Sequence, residues 1–508
     1  MKKILLDGRK LCVEDVLAVA NGAIVDVSEK VYENMAVARS LVDKAVEEKR
    51  VIYGITTGFG KFAEVSINQN DCGQLQENLI MSHACGVGEP FDVATVRAMM
   101  CLRLNALSVG NSGISRDTFD VLLRMLNADV IPYVPSKGSL GASGDLVPLA
   151  HIALAMIGMG KVYYNGKLTD AKNAMRSVAI NPAKLSAKEG LALINGTCGM
   201  CALACFVVAQ GRLLNKTADI ASTLTMQAVY GVVDAFDERI HLLRGQEGQI
   251  KTASNLRTLL QGSQSTSRQG EVRVQDAYTL RCVPQIHGPS KDALAYVADI
   301  VGKEINAVTD NPLIFADTDQ AISGGNFHGQ CLSMAMDFAG ISLAELANVS
   351  ERRIERLVNP QLSGLPAFLV KRGGLNSGYM IVQYVAASLV NENKVLAHPA
   401  CVDSITSSAN QEDHVSMGMT ACRKARQIVD NVTNVLAIEL LVACQAIDLR
   451  KNKQPLSPAG QAVYDLVRKE VPFMAKDRYI APDIAKIEAL VREGKVVEVA
   501  ELSCGTLN

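Results

Sequence analysis

The stretch GSLGASGDLVPLAH, residues 138–151, combines glycine, serine and apolar residues in an order that decides how the chain is interpreted. Glycine allows tight turns and lets other backbone approach closely. Composition alone therefore indicates a surface loop. A phosphate-binding loop is a poor match, because the stretch has neither the spacing of that motif nor its Lys-Ser/Thr ending.

A second interpretation of this stretch is that Ala142-Ser143-Gly144 cyclises on itself. The Gly144 nitrogen would attack the Ala142 carbonyl, and two waters would leave, one of them formed from the Ser143 hydroxyl. The reaction needs an unhindered nucleophile, a hydroxyl that can leave, and a strained backbone that brings nitrogen to carbonyl. Glycine and serine supply the first two. The product, methylidene-imidazolone, is an alkene conjugated to carbonyls and hence a strong electrophile.

Outside this loop, the spacing of the prolines predicts long helices, because proline breaks helices. Residues 183–283, 313–359 and 400–454 contain no proline. Within them, apolar residues recur with a period near 3.6 over about residues 332–357 and about residues 421–449. Helices of this length exceed the usual one and predict a bundle.

The N-terminal part of the chain has a different pattern. It carries short β-favouring pieces at Lys3–Leu6 and Val51–Tyr53. We therefore expect a mainly α protein with a smaller mixed α/β part over residues 1–110. Residues 111–508 are expected to form a long helical bundle domain that carries the electrophile loop near residues 142–144.

The composition excludes several classes of partner. The chain has 508 residues, of which 48% are hydrophobic and 20% charged, and its formal net charge is −1. Nucleic-acid binding normally requires a basic field, which this balance does not supply. Asp7 and Arg9 interrupt the first apolar run too early for a signal peptide. The least polar stretch, Leu191–Gly211, contains polar residues such as Asn195, so we expect a buried helix rather than a membrane span. A cytoplasmic protein is predicted, with no nucleic-acid or membrane partner.

Cysteine usage also bears on compartment and metal binding. The 13 cysteines are an odd number and are scattered along the chain, so they are expected to be reduced thiols rather than a disulfide framework. Cys198, Cys201 and Cys205 have helical spacing, but no second Cys or His pair lies nearby in sequence. Because a zinc ion normally takes four ligands, no metal site is predicted.

The residue 138–151 stretch resembles the signature of the histidine and aromatic amino-acid ammonia-lyases, and the resemblance extends over nearly the whole chain. Further matching segments occur in order along the sequence: YGITTGFG (53–60), LQENLIMSHACGVG (75–88), LALINGT (191–197), VQDAYTLRCVPQIHG (274–288), TDNPLIF (309–315), GGNFHGQ (324–330) and SSANQEDHVSMG (407–418). The resemblance implies a mostly helical fold, a homotetramer, and active sites lined by several subunits. It also implies that the methylidene-imidazolone forms from Ala142-Ser143-Gly144 without an external cofactor.

The resemblance implies an activity as well, namely elimination of ammonia from L-histidine to give trans-urocanate, the first step of histidine degradation. Ammonia is a poor leaving group and the β-proton is barely acidic, so such an enzyme needs an electrophile, a base and a clamp for the carboxylate. Tyr53 matches the family's base. Arg281 matches the residue that holds the substrate carboxylate, a task that suits a guanidinium.

Other site residues follow from the same resemblance. Gln275, Tyr278 and Asn195 resemble family residues around the electrophile and the amine, and Tyr278 is assigned to the catalytic set. Phe327 is expected to form a pocket wall. His83 and Glu412 are expected to recognise the substrate ring, because an imidazole needs hydrogen-bonding partners that an apolar pocket lacks. Glu412 is also a candidate proton acceptor during ammonia loss.

Some positions depart from the commonest histidine-lyase pattern, and they keep alternatives open. These positions are Thr56, Cys198, Gly329-Gln330 and Thr406. The enzymatic alternative is a tyrosine or phenylalanine ammonia-lyase, or a 2,3-aminomutase that uses the same electrophile and adds ammonia back at the β-carbon. The non-enzymatic alternative is a helical scaffold whose site has decayed.

Overall fold

The computed structural model describes residues 3–68 and 71–508. These residues form a mainly α-helical protein, as the sequence predicts. The helices in chain order are α1 (Val13–Ala20), α2 (Glu29–Glu47), α3 (Cys72–His83), α4 (Val93–Ser108), α5 (Arg116–Asn127), α6 (Leu146–Met156), α7 (Ala171–Ser177), α8 (Glu189–Ile194), α9 (Cys198–Ala228), α10 (Glu238–Arg244), α11 (Glu247–Leu260), α12 (Tyr278–Arg281), α13 (Val283–Glu304), α14 (Gln330–Val358), α15 (Pro360–Ser363), α16 (Met380–Leu396), α17 (Gly418–Leu449), α18 (Pro458–Glu470), α19 (Ala481–Arg492) and α20 (Lys495–Cys504).

The chain divides into two compact units that alternate along the sequence. The first unit comprises Met1–Phe206, Ala298–Asp337 and Pro399–Arg423. The second comprises Val207–Val297, Phe338–His398 and Lys424–Asn508. The boundary expected near residue 110 falls in the turn after α4 and stays a prediction.

The described strands are short and all belong to the first unit. They are β1 (Lys3–Leu6), β2 (Ile24–Val27), β3 (Val87–Pro90), β4 (Ile131–Pro132), β5 (Pro135–Lys137), β6 (Lys161–Tyr164), β7 (Lys167–Asp170), β8 (Leu313–Phe315) and β9 (Gln320–Ile322). β1 pairs in parallel with β2, in the register Lys3 to Ile24. The other pairs, β3–β5, β4–β6, β6–β7 and β8–β9, are antiparallel.

The strand expected at Lys3–Leu6 is confirmed, whereas the one expected at Val51–Tyr53 is wrong. The Thr56 hydroxyl accepts a hydrogen bond from the Ile52 nitrogen at 3.0 Å and donates to the Arg50 carbonyl at 2.6 Å. These local bonds occupy the backbone groups that a strand would offer to a neighbour. The segment is therefore a turn, despite its β-favouring residues.

The helix α4 is buried around its whole circumference, from Thr95 to Ser108. The Asp92 carboxylate caps its start by accepting from the Thr95 nitrogen at 2.7 Å. Two arginines, Arg97 and Arg103, lie within this buried helix. A buried cation is costly unless hydrogen-bonded, so each guanidinium must find acceptors inside the first unit.

The single buried helix expected over Leu191–Gly211 is instead two helices with a break. α8 ends at Ile194 and α9 begins at Cys198. Between them, Asn195 is extended and Gly196 has φ +151°, a conformation that favours glycine. Sequence periodicity did not reveal the break because the end of α8, residues 191–194, and the start of α9 are both apolar and buried. This break brings Asn195 and Gly196 to the site described below.

Two described helices, α9 and α17, have the length and apolar composition of membrane spans. In their most apolar windows, 72% and 83% of the residues, respectively, are buried within the protein. Such burial is what core helices of a large domain show.

The second unit contains most of the long helices. α14 (Gln330–Val358) and α17 (Gly418–Leu449) confirm the two helices predicted near residues 332–357 and 421–449, and both continue into the first unit. Inside the second unit, the fully buried Arg353 on α14 forms paired bonds of 2.6 and 2.8 Å with the Glu439 carboxylate on α17. This bidentate geometry satisfies both buried charges.

Candidate active site

The first unit contains a cavity of about 830 Å³ that brings five predicted site residues together. They come from separate parts of the chain: Tyr53, His83, Ser143, Asn195 and Glu412. Apolar residues such as Leu79, Leu146 and Leu191 complete the walls. A cavity of this size with a few convergent polar groups is typical of a small-molecule site.

The loop that carries Ala142-Ser143-Gly144 is tied down on both sides. On its N-terminal side, the Gly141 carbonyl accepts from the Ser416 hydroxyl at 2.8 Å and from the Gly329 nitrogen at 3.2 Å. On its C-terminal side, the Asp145 nitrogen donates to the Gly196 carbonyl at 2.6 Å. The triplet is therefore held as a constrained segment between two anchored residues.

Gly144 occupies a position that only glycine fits. Its φ is +74°, and a Cβ there would lie 2.1 Å from the Gly196 carbonyl oxygen. Because that neighbour is backbone, no side-chain movement could relieve the clash. Gly144 thus pairs directly with the main chain of Gly196, at the break between α8 and α9.

Ser143 is bonded at both its side chain and its carbonyl. Its hydroxyl donates to Glu412 Oε1 at 2.9 Å, and its carbonyl accepts from Asn195 Nδ2 at 3.1 Å. The other Glu412 oxygen accepts from the Ser407 hydroxyl at 2.8 Å. The carboxylate is thus fixed beside the serine hydroxyl that must leave if the triplet cyclises.

Glu412 is carried by a segment of unusual backbone conformation. Ser408, Ala409 and Asn410 all have positive φ, from 52° to 66°. Ser407 and Glu412 close the segment by exchanging backbone hydrogen bonds of 2.8 and 3.3 Å. Strained backbone of this kind persists only where the surroundings hold it, and it is frequent at functional sites.

Tyr53 lies at the start of the turn that replaces the expected strand, and its ring lines the cavity. Its hydroxyl accepts from the Gly60 nitrogen at 3.4 Å, a long bond. Tyr53 as a residue is half-buried. Its only described bond is weak, so the hydroxyl can exchange that partner for a substrate atom.

His83 is the last residue of α3 and also lines the cavity. The Ser82 hydroxyl donates to the Leu79 carbonyl, so the 3.0 Å contact between Ser82 Oγ and His83 Nδ1 has the imidazole as donor. This assignment leaves Nε2 as an acceptor. Burial lowers the pKa of His83, and the nearby Glu412 charge partly opposes that shift. The neutral imidazole is the favoured form.

Asp145, which follows the triplet, is fully buried, and burial raises its pKa to about 7. Hydrogen bonds from the Met200 nitrogen at 2.7 Å and from the Ser139 hydroxyl at 3.1 Å oppose this shift without cancelling it. The carboxyl group anchors the start of α9 next to the site.

The remaining predicted residues are not on the described lining of this cavity. Ala142 is buried in the loop, and Phe327 is a half-buried residue of the first unit. Gln275, Tyr278 and Arg281 belong to the second unit. There Tyr278 is 68% exposed, and the Arg281 guanidinium lies 4.7 Å from its ring centroid.

Among residues 3–68 and 71–508, no group of three or more His, Cys, Asp or Glu side chains is placed to hold a metal ion. Cys198, Cys201 and Cys205 are buried near the start of α9. Burial raises the pKa of Cys198 to about 11, so this thiol is protonated and unreactive.

Sequence reasoning missed the residues that hold the site in place. Ser416 and Ser407 fix the loop and the carboxylate, and Arg103 donates to the Asn195 carbonyl at 2.9 Å. Arg103 did have a signal, since it is a single charge within the apolar run MMCLRLNALS, residues 99–108. The serines had none, because isolated hydroxyls occur throughout a chain of this composition.

Comparison with known proteins agrees with this geometry. The family described as aromatic amino acid lyase matches residues 11–469. A relative named histidine ammonia-lyase 1, from Fusobacterium nucleatum, is 53% identical over 99% of this chain and 98% of its own length. The crystal structure of histidine ammonia-lyase from Trypanosoma cruzi superposes with a TM-score of 0.92 and 42% identity, covering 99% of this chain and 95% of that one.

A second solved structure has the same fold. Tyrosine aminomutase from Streptomyces globisporus superposes with a TM-score of 0.95 and 36% identity, and the match covers 100% of both chains. Likeness at these identities extends over the loop, the cavity and both units. The protein belongs to the aromatic amino acid lyase family.

Proposed function

We propose that this lyase eliminates ammonia from L-histidine and releases trans-urocanate. The observation that carries the proposal is the placement of His83 and Glu412, which both face the cavity that contains Ser143. An imidazole has two ring nitrogens, and a dry pocket that binds it needs a polar partner for each. The names of the relatives at about half identity support the same substrate.

The proposal includes a methylidene-imidazolone formed from Ala142-Ser143-Gly144. Three observations favour it: the anchored loop ends, the positive φ and close main-chain packing that require glycine at position 144, and the Glu412 carboxylate 2.9 Å from the Ser143 hydroxyl. Once formed, the group supplies an electrophilic alkene that makes ammonia a better leaving group. No external cofactor is required.

Tyr53 is proposed to remove the β-proton of the substrate. Its hydroxyl is on the cavity wall and has only one weak bond, to the Gly60 nitrogen. A base must reach the proton within hydrogen-bond distance, and an uncommitted phenol oxygen at the wall meets that condition. Asn195 is proposed to hold the Ser143 carbonyl and contact the amine region.

His83 and Glu412 are proposed to bind the substrate ring. The Nε2 atom of His83 is a free acceptor, which suits a ring N–H of the substrate. Glu412 keeps lone pairs beyond those used by Ser143 and Ser407, and it is a proton acceptor for ammonia loss. In this proposal each of the two side chains binds one nitrogen of the imidazole.

Gln275, Tyr278, Arg281 and Phe327 are proposed to complete the site, the first three from a neighbouring copy in a homotetramer. Arg281 has a buried Nε with no described hydrogen-bond partner, as expected of a clamp that awaits a carboxylate. Large apolar side chains on the long helices of the second unit are exposed and support a subunit interface: Tyr296, Phe338, Ile341, Ile381, Tyr384 and Val385.

A cytoplasmic location is also proposed, with no nucleic-acid or membrane partner. All 13 cysteines lie within the described residues as free thiols, which suits a reducing compartment. The near-neutral formal charge of −1 gives no attraction to a polyanion.

Incubation of the purified protein with L-histidine, L-tyrosine and L-phenylalanine, followed by product identification, tests the proposal. We expect urocanate and ammonia from histidine, with the other two substrates turned over far more slowly. A cinnamate or coumarate as main product would assign an aromatic lyase, and a β-amino acid would assign an aminomutase. No product from any of the three would support a decayed scaffold.

A further inference from the structure

Arg103 is a fully buried cation whose acceptors are uncharged. It lies on α4, and its guanidinium donates to the carbonyls of Ala192 and Asn195, the latter at 2.9 Å. Its Nε has no hydrogen-bond partner among the described residues. A buried cation is costly unless it is hydrogen-bonded, so the guanidinium holds these two carbonyls in place against α4.

We propose that Arg103 is a positioning residue for the cyclisation of Ala142-Ser143-Gly144, acting through the turn formed by Asn195 and Gly196. The inference rests on the proposed function, because it assumes that the triplet matures. It adds a residue that contacts neither the substrate nor the reacting atoms.

Arg103 contacts the turn directly. The guanidinium bonds the Asn195 carbonyl and packs so closely on Gly196 that a Cβ there would lie 2.5 Å from Nη1. Its bonds to Ala192 and Asn195 span the end of α8. Arg103 therefore fixes both where α8 stops and how the following peptide is oriented.

The same turn also contacts the triplet. Gly196 accepts from the Asp145 nitrogen at 2.6 Å and would touch any side chain at Gly144, while Asn195 Nδ2 donates to the Ser143 carbonyl at 3.1 Å. One rigid turn thus holds the triplet at two consecutive peptides. A shift of the turn would move both bonded peptides of the triplet.

The reaction explains why the position of these two peptides matters. A bond forms between the Gly144 nitrogen and the Ala142 carbonyl carbon, and the Ala142 oxygen leaves as water with the protons of the Gly144 and Ser143 nitrogens. The second water takes the Ser143 hydroxyl and its Cα hydrogen. No oxidant is consumed, so the rate depends on holding nitrogen and carbonyl together.

Arginine is suited to this task and lysine is not. The planar guanidinium can donate to two carbonyls in fixed directions, whereas an ammonium is a compact point charge on a flexible stem. Arg103→Lys keeps the charge in α4 and loses the fork. Arg97 offers a matched control, since it is also buried in α4 and donates to backbone carbonyls, among them Val19 at 2.8 Å and Leu126 at 3.2 Å.

The experiment follows the intact mass of purified full-length protein after synthesis, with circular dichroism as the check on folding. Wild type and Arg97→Lys should become two waters lighter than the sequence at similar rates. Arg103→Lys should fold and lose the two waters at least about tenfold more slowly. Gly196→Ala, which places a Cβ 2.5 Å from the Arg103 guanidinium and 2.6 Å from the Thr309 hydroxyl, should show the same delay because it displaces the same turn.

Two outcomes would overturn the inference, and a third would contradict the proposed function. Maturation of folded Arg103→Lys and folded Gly196→Ala at the wild-type rate would overturn the inference. Failure of Arg103→Lys to fold would also overturn it, because the residue would then serve stability alone. A wild-type protein that never loses two waters contradicts the proposed function instead, and the two failures are therefore distinguishable.

Discussion

The Ser143 hydroxyl donates a 2.9 Å hydrogen bond to the Glu412 carboxylate, although the two residues are 269 positions apart in sequence. The bond joins the loop before α6 to the strained segment at Ser408–Asn410. The carboxylate is held from its other side by Ser407. The group that faces the substrate region is therefore also the group that faces the hydroxyl lost in the proposed cyclisation.

Ser143→Ala should fold and should not form the electrophile, because the exocyclic carbon and its leaving hydroxyl come from the serine side chain. Intact mass should equal the full sequence mass, and turnover of histidine should be lost. Ser136→Ala, a serine in β5 outside the cavity lining, is the control and should mature normally. Wild-type turnover by Ser143→Ala would contradict a cofactor derived from this triplet.

Tyr53→Phe should bind histidine and lose most of its turnover, because only the ionisable oxygen is removed. Loss of a general base typically lowers kcat by about 10²–10⁴-fold. Steady-state kinetics and an intact mass that still shows maturation would check this. Tyr133→Phe, which removes a hydroxyl elsewhere in the first unit, should keep normal rates. A fall of less than about threefold would reassign Tyr53 to packing.

His83→Leu combined with Glu412→Gln should reduce activity on histidine far more than activity on tyrosine or phenylalanine. Each imidazole nitrogen left without a partner in a dry pocket costs about 1–3 kcal/mol. At about 1.4 kcal/mol per tenfold, the preference for histidine should fall by roughly 10²-fold or more. A phenyl ring loses no hydrogen bond by the change.

The ratio of kcat/KM between substrates is the quantity to measure for this double variant, because Glu412 also serves ammonia loss and every rate can fall. His151→Leu, a half-buried histidine that accepts from the Gly86 nitrogen at 3.1 Å, is the matched control and should leave the ratio unchanged. An unchanged ratio in the double variant would remove His83 and Glu412 from substrate recognition.

Asp145 gives a pH dependence of stability. Burial raises its pKa to about 7, so the folded protein holds a proton that the unfolded chain releases near pH 4. The stabilisation is fully present below about pH 4 and is lost as the pH rises through about 7. Asp145→Asn cannot titrate, so its stability should fall less over that interval.

Urea midpoints at about pH 5 and about pH 8 would measure this difference for wild type and Asp145→Asn. The other titrating groups are shared by the two proteins and cancel in the comparison. An equal change of midpoint in both would show that the Asp145 carboxyl is ionised throughout.

Tyr53 and Arg281 should act in one site while belonging to different subunits. Co-expression of Tyr53→Phe with an inactive Arg281→Met chain should restore activity, because some assembled sites receive both intact residues. Random assembly of equal amounts gives about a quarter of the sites both residues. Light scattering should show a tetramer. No recovery in mixed tetramers, or a fully active monomer, would contradict shared sites.

The sequence predicted the long helices because their signal is periodic and local. α14 and α17 follow from the 3.6-residue pattern and the proline-free ranges. The Val51–Tyr53 strand was predicted wrongly because the Thr56 side chain competes for the same backbone groups. The β propensity of Val51–Tyr53 takes no account of the Thr56 hydroxyl, which lies three residues beyond the segment.

The sequence predicted which residues form the site, but it did not predict the contacts that hold those residues in place. Tyr53, His83, Ser143, Asn195 and Glu412 share one cavity, as the resemblance to the lyases implies. The break between α8 and α9 and the positive φ values near Ser408 depend on contacts between distant segments. Such contacts produce no periodic pattern of residues, so a single sequence does not reveal them.

The backbone contact between Gly144 and Gly196 limits which positions of this enzyme can be substituted. A side chain at Gly144 would meet the main chain of Gly196, and a side chain at Gly196 would meet the Arg103 guanidinium and the Thr309 hydroxyl. The mouth of the cavity is different, since Phe62, Val65 and Ser82 present exposed side chains. Residues at the mouth can therefore be exchanged around the ring contacts proposed for His83 and Glu412, while the Gly144–Gly196 contact requires glycine at both positions.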